Sequence, residues 1–254
     1  MSIERNTAMT HAVLMTFYLM GALADYRQLE ADAEKAALNS TYVAAHTLYT
    51  SALEAARLSV GPNHPDVARI YSRLGLMMEM QGDLAAPEPL YQRAIQILEA
   101  PALASPTELA TALELYAGLR NRQGKTLEAE KLRERARPIR QRQVREMVAR
   151  IPPSADTAPG LKIGGGVSAP VAISKVEPAY SAVAKIAKLQ STVVLSIVIG
   201  LEGRVRSVEM LRGVGLGLDE QAAEAVLQWK FKPGMKDGQP VAVKANVEIN
   251  FRLM

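Results

Sequence analysis

The chain contains no cysteine, which excludes disulfides, a thiol nucleophile and a cysteine-ligated zinc site. Histidine is nearly as scarce. His11, His46 and His64 are the three present, and the last 190 residues have none. That argues against His-dependent catalysis and His-ligated metal in the C-terminal half. No pair of carboxylates stands at a recognisable catalytic motif, so an enzyme is not expected. A large charge excess is also missing. Residues 25–150 carry 17 basic and 16 acidic side chains, and residues 151–254 carry 12 and 9. This falls short of a nucleic-acid-binding profile, and no nucleic-acid partner is expected. Gly164-Gly165-Gly166 lacks the Gly-Lys-Ser/Thr ending of a phosphate loop. Gly213 to Gly217 lacks the third glycine of a dinucleotide fingerprint, because Leu218 stands in its place. No cofactor is expected.

What is present suffices for two modest domains: 254 residues, 48% of them hydrophobic. The stretch from Asn6 to Ala24 has no acidic or strongly basic residue, and it ends Ala22-Leu23-Ala24. A short apolar core followed by Ala-x-Ala is the pattern of a secretory signal peptide cleaved after Ala24. An uncleaved membrane anchor and a buried first helix are the competing readings of residues 1–24.

The middle of the chain repeats. Ser40–Leu53, Gly82–Ile95 and Gly124–Ala136 align at an offset of 42 residues. Each unit has a turn residue and then a helix with small or apolar residues on one face. These are Ala45, Leu48, Tyr49 and Ala52, then Leu90, Tyr91 and Ala94, then Ala129, Leu132 and Ala136. A partner helix precedes each turn, as in Val67 to Met80. Pro87 and Pro89 should delay the first turn of the second unit's helix. Residues 26–140 resemble tetratricopeptide repeats of the longer kinesin-light-chain form, most closely at Val60–Ala68 and Ala86–Ala94. The resemblance implies an all-α solenoid whose concave face binds an extended peptide or a partner protein. Arg69, Ser72, Arg73, Glu79, Met80, Glu114 and Asn121 lie on the helices that would line it. His64 belongs to the inter-repeat loop pattern rather than to a ligand site.

Lys131 to Arg150 holds eight basic residues: Lys131, Arg133, Arg135, Arg137, Arg140, Arg142, Arg145 and Arg150. One reading is a helix for an anionic surface, nucleic acid or membrane. The other is the polar outer face that caps a solenoid. Residues 151–166 have linker composition, and even fully stretched the twenty residues 151–170 reach only roughly 60 Å.

Beyond the linker the hydropathy period changes. Val241, Val243, Ala245, Val247, Ile249, Phe251 and Leu253 are apolar at every second position, and of Ala242, Lys244, Asn246, Glu248, Asn250 and Arg252 between them five are polar or charged. That is the period of a long, half-buried strand. Pro233-Gly234 and Asp237-Gly238 before it are turn signals. Upstream, Val171–Val176 reads as a strand. Ala179–Leu189 reads as a helix opened by Pro178, and Ser191–Ile199 and Arg204–Leu211 as a hairpin across Leu201-Glu202-Gly203. A helix capped by Asp219 then runs to Trp229. The order is β-α-β-β-α-β, an antiparallel sheet with two helices on one face. Residues 167–254 resemble the C-terminal domain of TonB-family proteins. The carrying motifs are Val176-Glu-Pro-Ala-Tyr180, Gly203-Arg-Val205, Gly217-Leu-Asp219 and Trp229-Lys-Phe-Lys-Pro233. Ser181 stands where the family usually has proline.

That resemblance implies a non-enzymatic periplasmic or envelope module that contacts outer-membrane TonB-dependent transporters. It implies that the last strand accepts an extended segment by strand addition. The edge would be Val241, Val243, Lys244, Ala245, Asn246, Val247, Glu248, Ile249 and Phe251. A second contact would come from Lys175, Val176, Glu177, Pro178 and Tyr180. Pairing of the same edge within a homodimer is the competing use. Trp229 and Phe231 are expected in the core. The expected layout is a leader or anchor at 1–24, repeats at 25–150, a linker at 151–166 and the TonB-like domain at 167–254.

Overall fold

A computed structural model describes residues 26–100, 105–151, 156 and 158–253. The expected leader or anchor at 1–24 lies outside them. Among the described residues no helix is long and apolar enough to cross a membrane. The chain divides into two compact units, one running to Ala129 and the other from Glu130 onward. Each is described by itself.

The first unit is entirely helical. Its helices are α1 (Tyr26–Leu38), α2 (Tyr42–Ser59), α3 (Pro65–Met80), α4 (Glu88–Leu98) and α5 (Pro106–Arg122), followed by the start of α6 (Thr126–Ala149). From α1 to α5 each helix packs on the next, and α3 also packs on α5. The turn residues of the three repeat units, Ser40, Gly82 and Gly124, share one backbone conformation, with φ of 61°, 91° and 77°. A positive φ lets the chain reverse between paired helices, and glycine takes it without a Cβ penalty. Buried small residues bring the helices close: Ala45, Ala52 and Ala56 on α2, Ala94 on α4 and Ala129 on α6. Tyr49 and Tyr91 fill the same row and are fully buried. Helix α4 starts only at Glu88, with Pro87 at its N-cap and Pro89 in its first turn, which is the expected delay. His64 caps α3 by accepting from the Asp66 amide at 3.2 Å.

Polar contacts tie the odd-numbered helices in a row. Arg69 of α3 holds Glu30 of α1 at 2.6 and 2.8 Å and Asp66 at 2.7 Å. The Tyr26 hydroxyl donates to Asp66 at 2.8 Å. Burial alone would push the Asp66 carboxyl up. The Tyr26 hydrogen bond and the Arg69 guanidinium outweigh it and hold the carboxyl below the usual range. A depressed native pKa adds stability above the unfolded value of about 3.9, and that gain is lost as pH falls through the native value. Asp66→Asn should therefore cost on the order of 1–2 kcal/mol at neutral pH. The gap to the parent protein should close below about pH 4. Thermal melts of both proteins from pH 7 to 3 check this, and a gap that stays constant with pH would contradict it.

The second unit begins inside α6. Pro138 interrupts the hydrogen-bond ladder of that helix without ending it. After it come β1 (Leu161–Lys162), β2 (Val171–Ser174), α7 (Ala182–Ile186), β3 (Ser191–Ile199), β4 (Val205–Arg212) and α8 (Leu218–Leu227). The chain closes with β5 (Lys230–Lys232), β6 (Gly234–Lys236), β7 (Gln239–Val241) and β8 (Val243–Phe251). The main sheet has the order β1-β8-β3-β4. Its three long strands are antiparallel, and β1 joins β8 in parallel. One face buries Val193, Leu195, Ile197 and Ile199 of β3 with Val208 and Met210 of β4. Ile249 and Phe251 of β8 and Leu218, Ala222 and Val226 of α8 complete the apolar core, and Trp229 and Phe231 are buried as expected.

Four local expectations are corrected. The alternating run is two strands, not one. It breaks at Ala242, which is buried next to buried Val243, and β7 instead folds back on β6 across Asp237-Gly238, with φ of 51° and 76°. Those two positive values make the tight turn whose twist matches a hairpin. Strand β2 leaves the main sheet and pairs with β5. Helix α7 starts at Ala182, not at Ala179, because Ser181 caps it by accepting from the Ala184 amide at 3.2 Å. Helix α8 is capped by Gly217. Asp219, buried at 2% exposure, accepts the amides of Val214 at 2.7 Å and Gly215 at 3.1 Å and so fixes the loop ahead of the helix.

Candidate functional site

Strand β8 has β3 on one side, in nine-residue register from Ser191↔Phe251 to Ile199↔Val243. On its other side only β1 is present, with Leu161↔Val243 and Lys162↔Lys244. The Leu161 amide donates to the Ala242 carbonyl at 2.8 Å. A parallel partner bonds to the residues flanking its opposite number. The even-numbered residues of β8 therefore turn their backbone N–H and C=O groups outward, and the odd-numbered ones turn theirs toward β3. Lys244 is covered by β1. Past it, Asn246, Glu248 and Asn250 present unpaired backbone groups with no strand beside them among the described residues. Of the edge residues named from sequence, Val243, Ala245, Val247, Ile249 and Phe251 supply the β3 ladder and the apolar face. Val241 belongs to β7. Ala245 and Val247 are only half-buried, so that face has room for further cover at the open stretch.

The upper end of the edge is closed by a strap. The Asp156 carboxylate faces Arg206 at 3.0 Å and accepts the Leu201 amide at 3.2 Å. Arg206 also donates to the Asp156 carbonyl. Gly160 lies against β8 so closely that a Cβ there would sit 2.9 Å from the Lys244 nitrogen. Nothing in the linker-like composition of residues 151–166 announces this docking.

The segment 175–180 meets the far end of the same strand. The Tyr180 ring packs edge-on against Phe251, with centroids 5.4 Å apart, and its hydroxyl donates to the Leu189 carbonyl. Burial raises the Tyr180 pKa. The Trp229 indole N–H donates to the Val176 carbonyl at 2.9 Å, and Lys175 Nζ lies 4.8 Å from the Trp229 ring centroid. Lys175, Val176 and Glu177 are exposed, and Pro178 is half-buried. Ser181 adds a 2.5 Å hydrogen bond to the Leu216 carbonyl, linking this segment to the loop before α8.

In the repeat unit the named residues divide by burial. Ser72 is buried and donates to the Ala68 carbonyl at 3.2 Å. Glu79 is buried, accepts the Tyr91 hydroxyl and faces Arg122 at 2.5 Å. Burial raises its pKa against the opposing pull of Tyr91 and Arg122. Arg69 is engaged with Glu30. Arg73, Met80 and Glu114 are half-buried, and Asn121 is exposed. Ion pairs offset part of the charge of the basic helix. Arg133 and Arg137 face Glu130 at 3.6 and 3.1 Å, and Arg142 faces Glu146 at 2.7 Å. Arg140 is 2% exposed and faces Glu220 at 3.4 Å. Among the described residues no cluster of His, Asp and Glu could hold a metal ion.

Helix pairs in repeat, followed by a sheet whose outer strands leave open edges, define a chain built from interaction modules. Residues 36–100 match the tetratricopeptide-repeat family model, and residues 176–253 match that of the Gram-negative bacterial TonB protein C-terminal. The chain thus carries tetratricopeptide repeats followed by a TonB C-terminal domain. Protein TonB of Vibrio cholerae serotype O1 is 35% identical over 89 residues, which are 34% of this chain. The match spans 36% of that relative's length. The crystal structure of BtubC (BKLC) from P. vanneervenii is 20% identical, with a TM-score of 0.43 and a match covering 56% of each chain.

Proposed function

We propose that this protein is a non-enzymatic interaction module of the cell envelope, whose C-terminal domain captures an extended segment of a partner by strand addition to β8. The observation that carries this is the run of outward backbone groups at Asn246, Glu248 and Asn250 on β8, past the end of the short β1. Unpaired edge groups recruit a strand with little demand on its sequence. The packing of Tyr180 on Phe251, near the end of β8, supports the segment 175–180 as a second contact. The TonB-like sequence of residues 176–253 supports a periplasmic setting and outer-membrane transporters as the partners. The repeats at 25–150 would bind a second protein through Arg73, Met80, Glu114 and Asn121, with a leader or anchor at 1–24.

Amide hydrogen exchange tests the reading. A soluble peptide of alternating valine and threonine should slow exchange at Asn246, Glu248 and Asn250. The amides of Val247 and Ile249, already bonded to β3, should change little. Equal protection in concentrated protein without peptide would assign the edge to a homodimer, and no protection with peptide would overturn the reading.

A further inference from the structure

Another uncovered edge lies on the small β2-β5 ribbon, away from the β8 ladder. Strand β2 has β5 on one side and no strand on the other among the described residues. All four of its residues are exposed, and Val171 and Ile173 are 60% and 70% exposed. Natural sheets blunt such edges with charged side chains or proline on the edge strand itself. Here β2 reads Val-Ala-Ile-Ser and carries neither. The charge lies one strand inward. Lys232 is paired with Val171, and Lys230 is paired with Ser174 on one side and bridged to Arg204 on the other. Like charges directly opposite across a strand pair destabilise it. Yet among the described residues Arg204, Lys230 and Lys232 make no ion pair, and all three side chains are exposed. The ribbon therefore holds unneutralised positive charge beside an apolar, pairing-competent edge.

We propose that the open edge of β2 takes an extended acidic segment of a partner protein as a third strand. Strands lie about 4.8 Å apart, so a lysine on β5 reaches across β2 to a carboxylate on the added strand. Aliphatic side chains of the segment cover Val171 and Ile173, and its carboxylates neutralise Lys230 and Lys232. The ligand charge separates this edge from the β8 edge, whose outward residues Glu248 and Asn250 offer no basic group. Either proposal can fail alone.

The test uses the full chain and two fluorescein-labelled peptides of alternating residues, valine with glutamate and valine with glutamine. The glutamate peptide should bind at least tenfold more tightly, and its affinity should fall as salt rises. The double variant Lys230→Glu and Lys232→Glu changes exposed side chains only. It should abolish that preference while leaving the exchange pattern of β8 unchanged. Ile173→Lys should weaken both peptides. Protection mapped to β8 instead of β2, or a glutamate preference that survives the double variant, overturns the proposal. So does charge-dependent binding to phosphatidylserine vesicles with no peptide binding, which would assign the ribbon to a membrane surface.

Discussion

Gly203→Ala is expected to lower the urea midpoint of the C-terminal unit by about 2 M, on the order of 4 kcal/mol at ordinary denaturant slopes. The position has φ of +72°, which side chains with a Cβ rarely adopt. A Cβ built there would stand 1.8 Å from the Phe231 carbonyl oxygen, well inside any contact distance. The conflict is with backbone at the start of the β5 ribbon, so no rotamer change relieves it. Moving that backbone away would break the bond from the Phe231 amide to the Gly203 carbonyl, at 2.8 Å. Trp229 is the only tryptophan in the chain and sits two residues from this contact, so its fluorescence follows the C-terminal unit alone. An unchanged midpoint would show that the turn and β5 do not meet as described.

Proline substitution along β8 should separate binding from folding. Proline has no N–H, and a strand tolerates it where that N–H would face solvent. Glu248→Pro removes an outward donor and leaves the β3 ladder in place. Capture of an extended peptide should fall at least tenfold while the urea midpoint moves little. Val247→Pro removes an inward donor paired across to Leu195. It should lose about 3 kcal/mol of stability and capture as well, because the edge deforms with the strand. A folded Glu248→Pro protein that binds as well as the parent would eliminate strand addition at this edge.

Much of this was legible because it depends on short-range pattern. The 42-residue period located the three left-handed turns at Ser40, Gly82 and Gly124. Alternation from Val243 to Phe251 gave the last strand and its buried face. What was hidden depends on pairs far apart in sequence. Ser72 and Glu79 share helical spacing with half-buried Arg73 and Met80, and only the position of α4 decides which turn inward. Ser181 reads as a departure from the family pattern, yet its hydroxyl caps α7 and holds Leu216. Asp219 has the composition of a cap, but loop amides from Val214 and Gly215 reach it first. Strand β1 is two residues long in a segment of linker composition, and its partner lies 82 residues away at Val243. The lysines of Trp229-Lys-Phe-Lys mark a strand, but their lack of acidic partners appears only when β2 and Arg204 fall beside them.

The strap over the head of β8 has a mechanical consequence. Tension on the chain ahead of Asp156 is borne first by the Asp156–Arg206 ion pair and next by the two-residue β1 ladder. The nine-residue ladder between β3 and β8 lies behind both. Bonds peeled one at a time yield at lower force than a long ladder loaded together, so the strap acts as a fuse. Once it has parted, the outward amide of Lys244 joins those of Asn246, Glu248 and Asn250. The open length of the edge is then a quantity that a pull can increase.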